Sequence, residues 1–268
     1  MNVLRDIIAR TAEDLVAAKA QVPLSQMVDD ATSYMTNTPV QDVAKRLRGH
    51  SAGLSVIAEV KRSSPSAGAL AEIADAAQLA REYAHAGAAM ISVLTEPHWF
   101  NGSLADLMRV RAAVDTPILR KDFIVDEYQI AQARAAGADC VLLIVAGLAD
   151  AQLAELLHCS RQWGMEPLVE VHDRSELHRA IEVGARIIGV NARDLTTLQV
   201  NPGVFAELAS DIPADCVAVA ESGIATIEDA RAVAESGADA ILVGQALVQS
   251  TDPAALLSSF RAIERCGR

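Results

Sequence analysis

The chain has 268 residues, 51% of them hydrophobic but only 3% aromatic, and a formal charge of −12. A nonspecific nucleic-acid binder needs surplus Lys and Arg to displace counterions, so this balance excludes that class, and the apolar content excludes a disordered chain. No run approaches the roughly 18 apolar residues of a membrane span, and the amino-terminal MNVLRDIIARTAEDLV is too interrupted by acids for a signal peptide.

Leu4, Ile7, Ile8 and Leu15 follow helical spacing, with Arg5, Asp6, Arg10, Glu13 and Asp14 between them. Pro23 ends that helix or starts another, and Gln41 to Arg48 reads as a further short helix. Residues 1–47 are therefore expected to be a helical extension and residues 48–268 a repeating body, one domain overall. In that body eight short apolar runs start roughly every 20–35 residues: Ser55–Val60, Met90–Leu94, Pro117–Arg120, Cys140–Val145, Pro167–Val171, Ile187–Val190, Cys216–Ala220 and Ala240–Val243. Each is a continuous rather than alternating run of Val, Ile and Leu, the pattern of a parallel strand buried on both faces. Alanine-rich helical segments lie between them, including 73–86, 128–136, 149–163, 174–183 and 227–236. AGAAMISVL, AGADCVLLIV, VGARIIGVN and SGADAILVG repeat one junction, in which Gly87, Gly137, Gly184 and Gly237 read as helix caps.

Eight strand–helix units fit a closed (β/α)8 TIM barrel with an N-terminal helical extension. The competing open doubly wound sheet usually carries a glycine fingerprint after its first strand, where this chain has VKRSSPSAG. The 50 alanines suit close helix-on-barrel packing, although compositional bias would give the same count. Cys140, Cys159, Cys216 and Cys266 match no metal-ligand spacing and read as reduced thiols of a cytoplasmic protein.

Barrel catalysis sits at the carboxyl ends of the strands. There the first run ends in Glu59-Val60-Lys61, the third meets Lys121, the fifth carries Glu170, the sixth meets Asn191 and then Arg193, and the seventh ends in Glu221-Ser222-Gly223. Strand periodicity points Glu59 and Lys61 the same way. Burying such groups costs several kcal/mol unless they pair, so a structural plug of mutual ion pairs is the alternative to a catalytic rim. The glycine turns Ser222-Gly223 and Gly244-Gln245 suit phosphate, as does the hydroxyl of Ser64, whose loop contains Gly68 and suits a movable lid. Plain turn chemistry would account for the glycines too.

The segments IAEVKRSSPSAG, ISVLTEPHWFNGS, PILRKDFIVDEYQI, LLIVAGL, LVEVHD, IIGVNARDL, AVAESGI and ILVGQAL together resemble indole-3-glycerol phosphate synthase, over nearly the whole chain. The resemblance implies ring closure, decarboxylation and dehydration of 1-(2-carboxyphenylamino)-1-deoxyribulose 5-phosphate, with no metal or organic cofactor. It makes Lys121 the general acid, Glu170 its acid/base partner and Glu59 an assistant. Lys61 binds the substrate carboxylate and is a second acid for dehydration, while Asn191 and Glu221 orient substrate beside Ser222. Ser64, Gly223 and Gly244 match phosphate-contacting positions, and the helical extension is expected over the barrel mouth. Ala192 and Gln245 depart from the usual N-N-R and Ser/Glu patterns. Of the aromatic and imidazole side chains, Phe100 is the stronger candidate for ring contact, Trp99 the weaker, and His172 a minor candidate for substrate contact. The expected partner is a small phosphorylated substrate, with no nucleic acid and no membrane, for a monomer or weak homo-oligomer. A phosphate-handling isomerase or a non-catalytic phosphometabolite-binding barrel remain as competitors. The first would need no carboxylate-binding lysine, and the second no set of buried acids.

Overall fold

A computed structural model describes residues 3–49, 52–70 and 73–267. Eight parallel strands close into one barrel: β1 (Ser55–Val60), β2 (Met90–Leu94), β3 (Ile118–Lys121), β4 (Cys140–Ile144), β5 (Leu168–Val171), β6 (Ile187–Asn191), β7 (Val217–Glu221) and β8 (Ala240–Val243). Closure is direct, with Ser55 of β1 opposite Ala240 of β8. Three strands run one residue past their apolar runs, to Lys121, Asn191 and Glu221. A polar terminal residue can keep the ladder because its side chain finds partners inside the barrel.

The amino-terminal helices are α1 (Val3–Gln21), α2 (Leu24–Asn37) and α3 (Val43–Arg48). Between the strands lie α4 (Ala76–His85), α5 (Leu104–Ala113), α6 (Glu127–Ala135), α7 (Asp150–Gln162), α8 (Arg174–Glu182), α9 (Val204–Ala209) and α10 (Ile227–Glu235). After β8 come α11 (Gln245–Gln249) and α12 (Pro253–Arg261).

Alternation along the strands sorts the core in two. Ile57, Met90, Leu119, Cys140, Leu142, Leu168, Ile187, Val217, Val219 and Ala240 fill the barrel interior in one cluster. The residues between them, such as Val56, Ile91, Ile118, Val141, Val169, Ile188 and Ala218, face the helices in another. Alanine stands on both sides of that second layer: Ala58 and Ala220 on strands, Ala80, Ala180 and Ala230 on helices. Small side chains let helix and strand approach closely.

The repeated Gly-Ala junction has a mechanism. Gly87, Gly137, Gly184 and Gly237 take φ of 91°, 99°, 78° and 96°, the left-handed region that favours glycine. The following alanine N–H then returns to a carbonyl five residues back, as Ala138 does to Ala133 at 2.9 Å. The aspartate after it secures the neighbouring strand, since Asp139 accepts from the Ile118 N–H and Asp239 from the Ala218 N–H.

The extension touches the body in three places. In α1, Leu4 and Ile7 join the interior cluster near Phe123 and Ile144, at the carboxyl ends of the strands. In α2, Met27 and Ala31 pack on Tyr128 and Ala131 of α6. Buried Arg134 of α6 adds a tie: it donates to the Thr38 carbonyl and stacks 5.0 Å from the Tyr34 ring. In α3, fully buried Leu47 closes the amino-terminal end of the barrel beside Val43. Among the described residues, α1 is thus the helix of the extension beside those strand ends.

Side chains cap the starts of α3, α4, α5, α6, α8, α10 and α12. Thr226 and Asp229 form a reciprocal capping box at α10. Thr226→Ala is expected to cost about 1 kcal/mol, read as a lower urea midpoint with unchanged slope.

Candidate active site

At the carboxyl ends of the strands is a cavity of about 300 Å³. All thirteen candidate positions line it: Glu59, Lys61, Ser64, Phe100, Lys121, Glu170, Asn191, Arg193, Glu221, Ser222, Gly223, Gly244 and Gln245.

Lys121 is the hub. Its Nζ lies 2.8 Å from Glu170 Oε2 and 3.4 Å from Glu221 Oε2. The second Glu170 oxygen accepts from Asn191 Nδ2 at 3.0 Å. Across the cavity Lys61 Nζ meets Glu59 Oε1 at 2.8 Å, and Ser92 Oγ lies 3.5 Å from the other Glu59 oxygen. Glu59, Glu170 and Glu221 are almost fully buried.

These contacts separate the two acids facing Lys121. Burial opposes the Lys121 charge, but the Glu170, Glu221 and Glu59 carboxylates outweigh it and hold the ammonium firmly protonated. Burial would also raise Glu170, yet Lys121 and then His172 outweigh it and hold that carboxyl below the usual range. Glu221 moves the other way: burial pushes it up to about 8, because Lys121 opposes only part of the effect and the Glu170 charge adds to it. Glu221 Oε1 is moreover buried without a hydrogen-bond partner among the described residues. At neutral pH one carboxyl is therefore an ionised acceptor and its neighbour chiefly a neutral acid, with an ammonium between them. Such a divergence of neighbouring carboxyls suits acid–base work.

Two interior glycines make room for the acids. A Cβ on Gly189 would overlap Glu221 Oε1, and one on Gly244 would overlap Glu59 Oε1. Gly189 lies in mid-strand with the same parity as Ile187 and Asn191. That parity is readable in the sequence, but the Glu221 side chain for which the glycine makes room belongs to the next strand.

Glu96 is a second omission. Buried in the loop after β2, it accepts from the N–H groups of His98, Trp99 and Phe100 at 2.8, 2.7 and 3.0 Å. This turn places Phe100 on the cavity wall, 6.1 Å from the Phe123 ring centroid. Trp99 is not part of the wall; it packs on the interior cluster, edge-on to His98. His98 Nε2 sits between Asp14 and Arg10 of α1.

At the other end, Ser222 and Gly223 take φ of 62° and 72° in a tight turn, and both line the cavity. Gly244 opens α11 beside them, and the Gln245 amide is directed along that helix to Gln249 at 3.4 Å. Ser64 is buried, its hydroxyl accepting from the Ala67 N–H. It belongs to a small antiparallel hairpin in which Ser63–Ser64 pairs with Gly68–Ala69. Arg62 secures the base of that hairpin through Asp106 at 2.6 Å. Arg193, half-buried, donates to the Leu198 carbonyl at 3.1 Å. Ala192 is buried and bonded only through its backbone, to Glu221 and Asn201.

A closed (β/α)8 barrel carrying lysines and glutamates on its strand ends, around one cavity, defines an acid–base enzyme of the barrel class. Residues 4–260 match the family model described as Indole-3-glycerol phosphate synthase. Among similar proteins, indole-3-glycerol phosphate synthase of Arthrobacter sp. (strain FB24) is 51% identical over 98% of this chain and 96% of that protein. Indole-3-glycerol phosphate synthase 1 of Streptomyces coelicolor is 52% identical, with the same coverage of both chains. The chain belongs to the indole-3-glycerol phosphate synthase family, carbon–carbon lyases of tryptophan biosynthesis. Solved structures of lower identity share the barrel. One is 3-hexulose-6-phosphate synthase from Salmonella typhimurium, 13% identical with a TM-score of 0.64 over 78% of this chain and 98% of that chain. Another is thiamine phosphate pyrophosphorylase from Pyrococcus furiosus, 18% identical with a TM-score of 0.60 over 81% and 96%.

Proposed function

We propose that the cavity performs the family reaction with Lys121 as the acid that starts it. The observation that carries this reading is the Lys121 ammonium set between an ionised Glu170 and a largely neutral Glu221. The substrate's anthranilate ring lies against Phe100, its carboxylate meets Lys61, and its phosphate takes the end formed by Ser64, Gly223, Gly244 and the Gln245 backbone. Arg193 and Ser222 hold the chain between.

The carboxyl-bearing ring carbon attacks the ketone, whose oxygen takes a proton from Lys121. The ring–carboxyl bond then breaks, CO2 leaves, and its electron pair restores the aromatic ring. The new hydroxyl leaves as water, protonated by Lys61 or Glu221, and Glu170 removes the proton whose loss forms the last double bond. Glu59 pairs with Lys61, and Asn191 fixes Glu170. The residues are suited to these tasks because burial and neighbours place an acid and a base side by side at neutral pH.

The partner is accordingly a small phosphorylated molecule. The acidic chain and its four cysteines, none of them in a disulfide among the described residues, support a cytoplasmic enzyme that acts without nucleic acid. Turnover of the carboxyphenylamino deoxyribulose phosphate tests the reading. CO2 and indole fluorescence should appear in equal amounts without added metal, and consumption without CO2 would overturn it.

A further inference from the structure

Just outside the cavity, in the strand-to-helix turn after β5, stands an imidazole that the mechanism above does not use. His172 Nδ1 lies 2.9 Å from Glu176 Oε2, and the His172 backbone N–H donates to the same oxygen at 2.8 Å. Glu176 is fixed in turn, its own N–H donating to Asp173, the residue that caps α8. A carboxylate only accepts, so Nδ1 carries a hydrogen. The other nitrogen, Nε2, is buried without an aligned hydrogen-bond partner among the described residues and lies 3.4 Å from Glu170 Oε1. A lone pair facing that carboxylate would repel it, so the position favours a second N–H and an imidazolium. The oxygen it faces is the one that accepts from Asn191; the other oxygen of Glu170 faces Lys121.

We propose that His172, held by Glu176, is a positioning residue that fixes the Glu170 carboxylate so that one oxygen stays directed at Lys121 and the substrate. The inference rests on the reading of Glu170 as the acid/base group. Glu170 is faced by Lys121 from β3, Asn191 from β6 and Glu221 from β7, with Glu59 of β1 acting on Lys121. His172 is faced by Glu170, by Glu176 of α8 and by the Asp194 carboxylate after β6. The imidazolium is thus a cation on the far side of Glu170, and burial fails to lower its pKa, which the two glutamates raise to about 10.

The test measures kcat and KM of the full-length enzyme from about pH 9 down to about pH 3, where essential groups show as limbs of the profile. His172→Leu should lower kcat by about tenfold or more, the scale of a misplaced reacting group, with KM nearly unchanged. The acid limb of kcat should move towards neutrality, because Glu170 loses a cation that favours its ionised form. His172→Gln returns an N–H donor but no charge; it should recover part of kcat and leave the limb displaced. Glu176→Gln should displace the limb the same way, and it decides the matter if His172→Leu does not fold. Wild-type kcat and an unmoved limb in these variants, even with a lower Tm, would overturn the proposal. Glu170→Gln separates the two readings: if that variant stays active, the Glu170 assignment fails; if it is inactive while His172→Leu is normal, only the positioning role fails.

Discussion

Lys121→Ala is expected to lower kcat by about 10²–10⁴-fold, the range a general acid contributes. The same substitution leaves Glu170 and Glu221 buried side by side without their shared cation. Removing one partner of a buried ion pair costs about 3–5 kcal/mol when the other charge must stay. Here the charge need not stay, because Glu221 already titrates at about 8 and Glu170 can take up a proton as well. Without Lys121 both acids are expected to have folded-state pKa values above their unfolded ones, burial then outweighing the His172 cation left beside Glu170. Their contribution is therefore intact below the unfolded carboxylate range and lost as pH rises through the folded values. The variant should accordingly approach wild-type stability at about pH 5 and fall well short of it at about pH 8, as urea midpoints at the two pH values would show. A deficit independent of pH would mean that the two carboxyls do not share the site as described, and near-normal turnover would remove Lys121 from the acid role.

Gly189→Ala adds one methyl group where Glu221 Oε1 now lies, with Leu168 Cδ1 3.1 Å away on the other side. A flexible glutamate at a surface would swing aside. Glu221 cannot do so freely, because it is buried and its other oxygen faces Lys121. The expected cost is about 1–3 kcal/mol of overpacking, together with a drop in kcat of about 10²-fold from the displaced acid. Circular dichroism and chemical denaturation would separate the two effects. Wild-type kcat in a folded Gly189→Ala enzyme would show that the Glu221 position does not matter to turnover.

The barrel was legible because its rules act on single residues. Continuous Val/Ile/Leu runs mark strands buried on both faces, and four Gly-Ala junctions mark helix ends that demand positive φ. The rim was legible in part. Lys121, Glu170 and Glu221 stood out because charge at a buried strand end is costly. Which acid is neutral was not readable, since it depends on distances between strands far apart in sequence. Gly189 was hidden for a related reason: what the glycine accommodates is a side chain of the next strand. His172 looked like an ordinary residue of a turn, and only the folded chain shows Glu176 on one side and Glu170 on the other. The extension follows the same logic. Its helical periodicity was plain, but that α2 would lie on α6 and α3 would close the opposite end is decided by pairings such as Arg134 with Thr38.

The placement of the polar groups has a consequence for how such a molecule can change. Glu59, Lys121, Glu170, Asn191 and Glu221 all stand on strands, and their partners are largely one another. Lys61, Ser64, Phe100, Arg193 and Ser222 stand on the connecting segments. On the proposed reading, proton handling rests mainly on the staves of the barrel, with Lys61 the exception, and ligand selection on the connections. Exchanging a connection, by mutation or by grafting, would re-address the site to another molecule while the apparatus for moving protons stayed in place.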